Sequence, residues 1–263
     1  MPTNKFVLEI CADSLDCAIA AERANADRIE LCSDLSVGGI TPSAGMMETA
    51  RARLGVPIHV LIRPRPGDFV YSACEFEAMQ RDIHVAKQLG MNGIAVGILD
   101  SASRIDVNRT GQLVELARPM SVTFHRAFDC SRNLEQSLER VVEIGADRIL
   151  TSGPTPKAID SLPILARLVC GSAGRIAVMP GGGITVENVE QILSATFARE
   201  IHSSVGASQA ATVAQDRQAY KPLDPAEYEL RVRQLTSLLD SLAKRLVNSA
   251  SPSPAATHRR IKQ

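Results

Sequence analysis

The sequence contains no tryptophan, and only 3% of its 263 residues are aromatic. A core built from this chain must therefore be aliphatic and rich in alanine, and a hydrophobic content of 45% is enough for a large one. The chain also lacks an excess of charge of either sign, because 29 basic residues balance 29 acidic residues. This balance argues against general nucleic-acid binding, which requires a basic surface.

Long hydrophobic runs are missing as well. No apolar run approaches the ~20 residues that are needed to span a bilayer, and the first residues, MPTNKFVLEI, contain no signal-peptide hydrophobic segment. We therefore expect a soluble, cytoplasmic protein without a membrane partner. The six cysteines form no CxxC pair, so neither a zinc ribbon nor a disulfide scaffold is expected, and in a reducing compartment they should be thiols.

What the sequence does contain is a regular alternation of short apolar runs with amphipathic stretches. The runs that predict strands are 6–12, 28–34, 58–65, 93–99, 121–129, 148–153, 175–184 and 200–205. Eight βα units predict a parallel sheet that is covered by helices, and eight strands close a (βα)8 TIM barrel of roughly 250 residues. An open doubly wound sheet is the alternative, but it requires a glycine-rich turn after the first strand, and residues 12–14 contain no glycine.

The chain is predicted to form one domain. We expect the barrel to occupy residues 1–247 and to end in a leucine-rich helix. Residues 248–263 are rich in serine, proline and alanine, a composition that predicts a disordered tail. A homo-oligomer, most simply a dimer, is expected from the general frequency of such assemblies.

Two cysteines are placed symmetrically at the ends of the first two predicted strands. Glu9 and Cys11 lie two residues apart on strand 1, and Glu30 and Cys32 repeat the pattern on strand 2. Residues two apart share one side of a strand, and neighbouring strands lie about 4.8 Å apart. The two thiols are therefore predicted to approach closely enough to hold one soft ion, and sulfur ligands select monovalent copper. The alternative is that both are small buried hydrophobic residues.

A second group of residues is suited to an anion. In a barrel, residues at the ends of the strands share one face. Arginine offers a rigid fork for carboxylate or phosphate, and a triple glycine at a helix start exposes backbone N–H groups. The candidates for binding an anion are Arg63, Arg65, Gly181, Gly182, Gly183, His202 and Ser203. The alternatives are a salt-bridge layer of the arginines with Glu9 and Glu30, and a tight turn at the glycines.

Acid–base chemistry has its own candidates at the same face. Glu30, His125 and Asp129 lie late in predicted strands, and His202 is a further group that titrates near neutrality. They are candidates for moving a proton if the protein is an enzyme. A histidine at a strand end is equally compatible with a structural hydrogen bond.

Six segments of the sequence, taken together, resemble the CutC family, which is described as a family of copper homeostasis proteins. The segments are LEICADS (8–14), NADRIELCSDLSVGGITPS (25–43), IRPRPGDFVYS (62–72), VTFHRAFD (122–129), RILTSG (148–153) and MPGGGIT (179–185). The resemblance implies a cytoplasmic βα barrel and a Cu(I) site whose ligands are the cysteines at positions 11 and 32. Two stretches depart from the family pattern: Pro66 stands where relatives usually have glycine, and residues 206–222 lack the stretch with Met and Arg that relatives often carry there.

The sequence thus predicts a copper homeostasis protein that binds monovalent copper through Cys11 and Cys32 at the C-terminal face of a barrel. The alternative function is an enzyme, of a reaction that the residues do not specify, acting on a small anionic or phosphorylated metabolite at the same face. The expected partners are accordingly a copper ion and, under the alternative, a small anion.

Overall fold

The structure, a computed structural model, describes residues 5–205 and 224–250, with side chains to residue 247. Within these residues, eight strands alternate with eight α-helices. The strands β1 to β8 are Val7–Ala12, Arg28–Leu31, Ile58–Leu61, Gly93–Val96, Ser121–Phe124, Arg148–Thr151, Ala177–Pro180 and Glu200–Ser203. The helices α1 to α8 are Leu15–Arg23, Ala44–Arg53, Ala73–Gln88, Val107–Ala117, Leu134–Glu143, Leu162–Ser172, Val189–Thr196 and Pro225–Ala250.

The strands form one parallel sheet with the order β7-β6-β5-β4-β3-β2-β1-β8. The two strands at the ends of this order, β7 and β8, pack side by side, so the sheet curls into a nearly closed barrel. The helices cover its outer surface. The predicted eight-stranded βα barrel is confirmed, and the open doubly wound sheet is excluded.

Local sequence signals explain where many of the helices begin and end. Ser72 and Glu75 form a reciprocal capping box at the start of α3. In α5, Leu134 and Leu138 are buried on the same side of the helix, which is the spacing of an amphipathic helix. Gly145 follows with a φ of 75°, a left-handed conformation that stops the helix and that glycine adopts without strain.

The loop after β7 differs from the prediction that its glycines stand at a helix start. A turn separates the triple glycine from α7, because the N–H of Thr185 donates to the side-chain oxygen of Asn188 at 2.9 Å. Helix α7 begins only at Val189, with Asn188 as its N-cap. The glycine N–H groups therefore belong to a loop and not to the first turn of a helix.

The end of the chain also differs slightly from the prediction. Helix α8 continues to Ala250, three residues past the predicted end of the domain at 247. Residues 251–263, which make up the rest of the predicted tail, lie outside the described residues, as does the segment 206–222 that departs from the family pattern.

The strands divide the interior into two layers by their alternation. Leu8 and Ile10 of β1 point outward into the aliphatic core between barrel and helices, whereas Glu9 and Cys11 point inward and are 1% and 3% exposed. The inner layer is unusually polar for a barrel of this kind, whose interior is commonly filled with branched aliphatic residues. Buried polar groups of this sort require partners, and those partners define the site.

Candidate metal centre

The site lies where β1 and β2 end. The register of these two strands places Cys11 opposite Glu30, and Cys32 follows one residue after the end of β2, where its N–H donates to the carbonyl of Ala12 at 3.0 Å. The two sulfur atoms of Cys11 and Cys32 are 3.6 Å apart. The structure therefore brings together the two thiols that the sequence selected, although they meet diagonally across the ladder and not as direct neighbours.

Both thiols are buried in an environment that favours protonation. The hydrogen bond with Cys32, together with burial, raises the pKa of Cys11 well above its ordinary value. The hydrogen bond with Cys11 lowers the pKa of Cys32, but burial and the nearby carboxylate of Glu30 outweigh that effect, so the pKa of Cys32 is raised overall. A metal ion that bound here would displace protons, because the thiolate is the form that coordinates metals.

A carboxylate and an imidazole complete the cluster. Glu30 accepts a hydrogen bond from the Cys11 thiol at 3.4 Å. One ligand atom each of Cys11, Glu30 and His202 lie within 4.8 Å of one another, and all three residues are buried. Within the described part of the chain, this is the one group of three or more possible metal-ligand side chains that lie close enough together to hold a metal ion.

A buried ion-pair network supports the cluster from below. Glu9 pairs with Arg28, which also donates to Glu200 at 2.6 Å. Burial alone would raise the pKa of Glu9, but Arg28 and the neighbouring His202 outweigh burial and hold that pKa well below its ordinary value. The reverse holds for His202: burial lowers its pKa, while Cys11, Glu30 and Glu9 raise it well above 6.5. Glu9 is therefore a fixed negative charge behind His202.

The last helix fixes the end of β1 in place. Tyr228 of α8 is 1% exposed, and its hydroxyl donates to the carbonyl of Cys11 at 2.6 Å. This contact joins residues that are 217 positions apart in the sequence. No local pattern in the sequence predicts this contact.

The two arginines predicted to bind an anion are engaged with the protein itself. Arg63 is buried, and its guanidinium donates to the backbone carbonyls of Val37, Gly39 and Gly67 at 2.8–2.9 Å. Arg65 pairs with Asp68 and Glu75 at the surface. Arg63 thus holds the loops after β2 and β3 together. Both guanidinium groups already bind groups of the protein.

His125 and Asp129 follow β5 in a 3₁₀ turn, away from the cysteine cluster. The His125 Nδ1 accepts from the Ala127 N–H at 3.1 Å, while burial lowers the pKa of His125 to about 3, so the ring is neutral. The Asp129 carboxylate accepts from Thr151, Ser152 and Arg126. His125 therefore stabilises the turn after β5, and Asp129 joins that turn to the end of β6.

The remaining anion candidates lie on β8 and in the loop after β7. His202 belongs to the cysteine cluster, and the Ser203 hydroxyl donates to the Ile184 carbonyl at 2.9 Å. Gly182 has a φ of 90°, and a side chain there would meet the Pro156 carbonyl oxygen at 2.8 Å and the Ser152 Cβ at 3.0 Å, with the Arg126 guanidinium carbon at 3.5 Å. The glycine loop thus packs against the loop after β6 with Arg126 beside it, a residue that the sequence did not predict for this role.

The role of His202 beside Cys11 was also missed. The register of β1 and β8 places Glu9 opposite His202, and barrel closure alone creates that pairing, since the residues are 193 positions apart. A usable signal existed: in a closed barrel the last strand lies next to the first, so polar residues of strand 8 belong with those of strand 1.

These observations define a (βα)8-barrel protein with a buried centre of two thiols, a carboxylate and an imidazole at the C-terminal ends of β1, β2 and β8. Among the residues that the structure describes, no helix has both the length and the apolar character to cross a bilayer.

Comparison with known proteins identifies the family. The model of the CutC family matches residues 6–207. A CutC family protein of Chromobacterium violaceum is 48% identical over 198 residues, which cover 75% of this chain and 80% of that protein. A human protein named copper homeostasis protein cutC homolog is 41% identical over 249 residues, 93% of this chain and 91% of its own length. The chain belongs to the CutC family.

Solved structures agree with this assignment. The crystal structure of a copper homeostasis protein CutC from Streptococcus agalactiae superposes with a TM-score of 0.72 at 33% identity, covering 76% of this chain and 98% of that one. Phosphoribosyl anthranilate isomerase of Thermotoga maritima superposes with a TM-score of 0.58 at 15% identity, over 90% of this chain and 99% of that one. The second likeness concerns the fold alone.

Proposed function

We propose that the protein acts in copper homeostasis in the cytoplasm by binding one Cu(I) ion through Cys11 and Cys32. The observation that carries this proposal is the distance of 3.6 Å between the two sulfur atoms. Metal–sulfur bonds are about 2.3 Å long for an ion such as Zn²⁺, so two sulfurs at this separation are both within reach of one ion. Both cysteines are free and buried, and soft thiolate ligands in a dry site favour Cu(I).

The names of the relatives support the same proposal. The human and mouse proteins, each 41% identical to this chain, are both named copper homeostasis protein cutC homolog. If the role in copper homeostasis that those names state also applies to this chain, a copper ion is the metal that the two buried thiols would bind.

The test is a competition titration of Cu(I) into fully reduced protein against a chromogenic chelator. We expect tight binding of one ion per chain, and a loss of affinity of at least about a hundredfold in Cys11→Ser and in Cys32→Ser, because each change leaves a single sulfur ligand. Cys170→Ser is the matched control, since that thiol is exposed on α6.

Weak copper binding in the wild type would contradict the proposal. So would an affinity that survives in the double variant Cys11→Ser/Cys32→Ser, because the copper would then be held elsewhere in the chain.

A second candidate function is the binding and conversion of a small anionic metabolite at the same face of the barrel. One observation favours it: the loop of Gly182 and Gly183 lies beside one cation, Arg126. A side-chain carbon at Gly182 would be 3.5 Å from the Arg126 guanidinium carbon. Backbone N–H groups next to a guanidinium suit a phosphate or a carboxylate.

Thermal unfolding in the presence of inorganic phosphate tests this second candidate. Phosphate is expected to raise the Tm of the wild type but not of Arg126→Gln, since a ligand that binds only the folded state stabilises it. Arg140→Gln, a change on the exposed side of α5, is the control. Equal stabilisation of all three proteins would show a general salt effect and would dismiss the site.

A further inference from the structure

We propose that Cys11, Glu30 and His202 form a binding site for a divalent ion of borderline softness, Zn²⁺, which shares Cys11 with the copper pair. The proposal goes beyond the copper function and does not depend on it, because two of its three ligands are not cysteines. It assigns a metal-binding role to Glu30 and to the imidazole of His202.

The geometry of the three donors fits one ion. Their ligand atoms all lie within 4.8 Å of one another, and the Cys11 sulfur is 3.4 Å from the nearer oxygen of Glu30. Zinc bonds of about 2.3 Å to sulfur and about 2.0–2.2 Å to nitrogen or oxygen place the donors of a tetrahedral site about 3.3–3.8 Å apart. The cluster is thus within a small side-chain adjustment of a three-ligand zinc site.

The chemistry of the donors points in the same direction. Sulfur, imidazole nitrogen and carboxylate oxygen together are a ligand mixture that zinc accepts, whereas Cu(I) selects soft sulfur and gains little from a carboxylate. The copper pair accounts for Cys11 and Cys32 only. It makes no use of the carboxylate or the imidazole, although both are buried beside Cys11.

Glu30 in particular makes no ion pair with an arginine or a lysine of the described chain, and the positive charge that acts on it most strongly is that of the neighbouring His202. It is 5% exposed, and within the described part of the chain its hydrogen bond comes from the weakly donating thiol of Cys11. Glu9, the other interior carboxylate nearby, is paired with Arg28. A buried carboxylate costs several kcal/mol unless a charge or strong donors compensate for it. A dication at this position supplies that compensation.

His202 is oriented as a metal ligand usually is. Its Nδ1 is 2.7 Å from the carboxylate of Glu9, which leaves Nε2 as the nitrogen for coordination. Histidines that bind zinc commonly hold a carboxylate with the other ring nitrogen, an arrangement that fixes the ring and increases its basicity. Since Glu9 lies opposite His202 in the ladder of β1 and β8, the backbone itself maintains this orientation.

The three ligands also stand on rigid elements. Cys11, Glu30 and His202 lie within β1, β2 and β8, and these three strands are hydrogen-bonded neighbours in the sheet. A site on adjacent strands is better preorganised than a site on loops. Because Cys11 is common to both ligand sets, zinc and copper are expected to exclude each other.

The test measures both metals on the same set of variants. Zn²⁺ affinity is determined by competition with a chelator, and Co²⁺ serves as a spectroscopic probe, since its charge-transfer absorption reports a bound thiolate. In Glu30→Gln and in His202→Gln we expect the Zn²⁺ affinity to fall about tenfold to a hundredfold and the Cu(I) affinity to stay nearly unchanged. Cys32→Ser is expected to lose Cu(I) but to keep Zn²⁺ within about tenfold, and Cys11→Ser to lose both.

His59→Gln is the matched control, because His59 is buried in the same interior layer and contacts Glu9 but is not one of the three donors. Retention of Cu(I) binding in the glutamine variants at 30 and 202 shows that they are folded. If one of them loses Cu(I) as well, Glu30→Asp, which keeps the carboxylate, should restore more Zn²⁺ affinity than Glu30→Gln.

Three results overturn the inference: Zn²⁺ affinity that is unaffected by both glutamine variants, Zn²⁺ affinity that falls most in Cys32→Ser, and simultaneous binding of Zn²⁺ and Cu(I). Failure of the copper function looks different, because Cu(I) would then bind weakly to the wild type while Zn²⁺ still depends on Glu30 and His202.

Discussion

At the scale of the residue, Cys11 is the centre of the site. Its sulfur is 3.6 Å from the sulfur of Cys32 and 3.4 Å from the carboxylate of Glu30. The Cys11 thiol therefore belongs to two sets of possible metal ligands. One is the pair of sulfur atoms with Cys32, and the other is the mixed set with Glu30 and His202. Because a metal ion recognises the set of donors and not a single residue, the occupant of the site depends on which neighbours of Cys11 take part.

Charge balance gives a further reason why the mixed set matters. The barrel interior carries the carboxylates of Glu9, Glu30 and Glu200, the guanidinium groups of Arg28 and Arg148, and the imidazole of His202. With His202 protonated, these six charges sum to zero. Coordination requires deprotonated ligands. A dication that replaces one proton on Cys11 and one on His202 preserves the balance, whereas Cu(I) that replaces two thiol protons leaves one more buried negative charge.

At the scale of the element, the contact between α8 and β1 is a source of stability that can be measured. Tyr228→Phe removes the hydroxyl that donates to the Cys11 carbonyl while keeping the aromatic ring in place. We expect the free energy of unfolding to fall by about 1 kcal/mol, within a usual range of about 0.5–1.5 kcal/mol for one internal hydrogen bond. Urea unfolding monitored by circular dichroism measures the change.

Tyr71→Phe is the control for this prediction. Tyr71 is also buried, and burial raises the pKa of its phenol to about 12, but its hydroxyl has no hydrogen-bond partner among the described residues although it lies near Arg63. Removing an unpaired buried hydroxyl costs nothing and can stabilise. An equal loss of stability in both variants would contradict the assigned role of the Tyr228 hydroxyl.

The elements themselves were largely predictable from the sequence, and their register was not. Each strand lies within one of the predicted runs, because the residues that face the helices, such as Leu8, Ile10 and Ile29, are apolar at alternate positions. The two cysteines could be selected because residues two apart share a side. The sequence alone gave no means to place Cys11 opposite Glu30 or Glu9 opposite His202, because barrel closure and stagger fix those pairings.

For the anion candidates, too, the position along the chain could be predicted from the sequence, but the hydrogen-bond partners could not. Arg63 was selected for its position after β3, but the backbone carbonyls that occupy its guanidinium belong to Val37, Gly39 and Gly67, and carbonyl direction in loops cannot be read from residue types.

The expected dimer has not been tested by any of these observations and stays a prediction.

At the scale of the whole molecule, the buried histidines make the stability depend on pH. Burial lowers the pKa of His59 to about 4 and that of His125 to about 3. His59 faces Glu9, Arg28 and Arg148. In the unfolded chain both titrate near 6.5, so below that pH the unfolded state binds more protons than the folded state. The free energy of unfolding therefore falls as the pH falls from about 6.5 towards 4.

Urea unfolding at pH 7 and at pH 5 measures this contribution. Each histidine is expected to account for a loss of about 2 kcal/mol between these two values. His125→Asn keeps a side-chain acceptor for the Ala127 N–H but cannot titrate, so it should remove about 2 kcal/mol of the difference between pH 7 and pH 5, and His59→Gln should do the same. His84→Gln, a change on the exposed side of α3, controls for the exchange of a histidine for a glutamine itself.

The contribution of His202 runs in the opposite direction, because its pKa is raised in the folded protein and it therefore favours the folded state at low pH. For this reason the prediction concerns the difference between each variant and the wild type, in which the contribution of His202 cancels. If His125→Asn retained the full loss between pH 7 and pH 5, His125 would have to be protonated in the folded state, and its ring would need a new partner for the buried Nε2 that has none among the described residues.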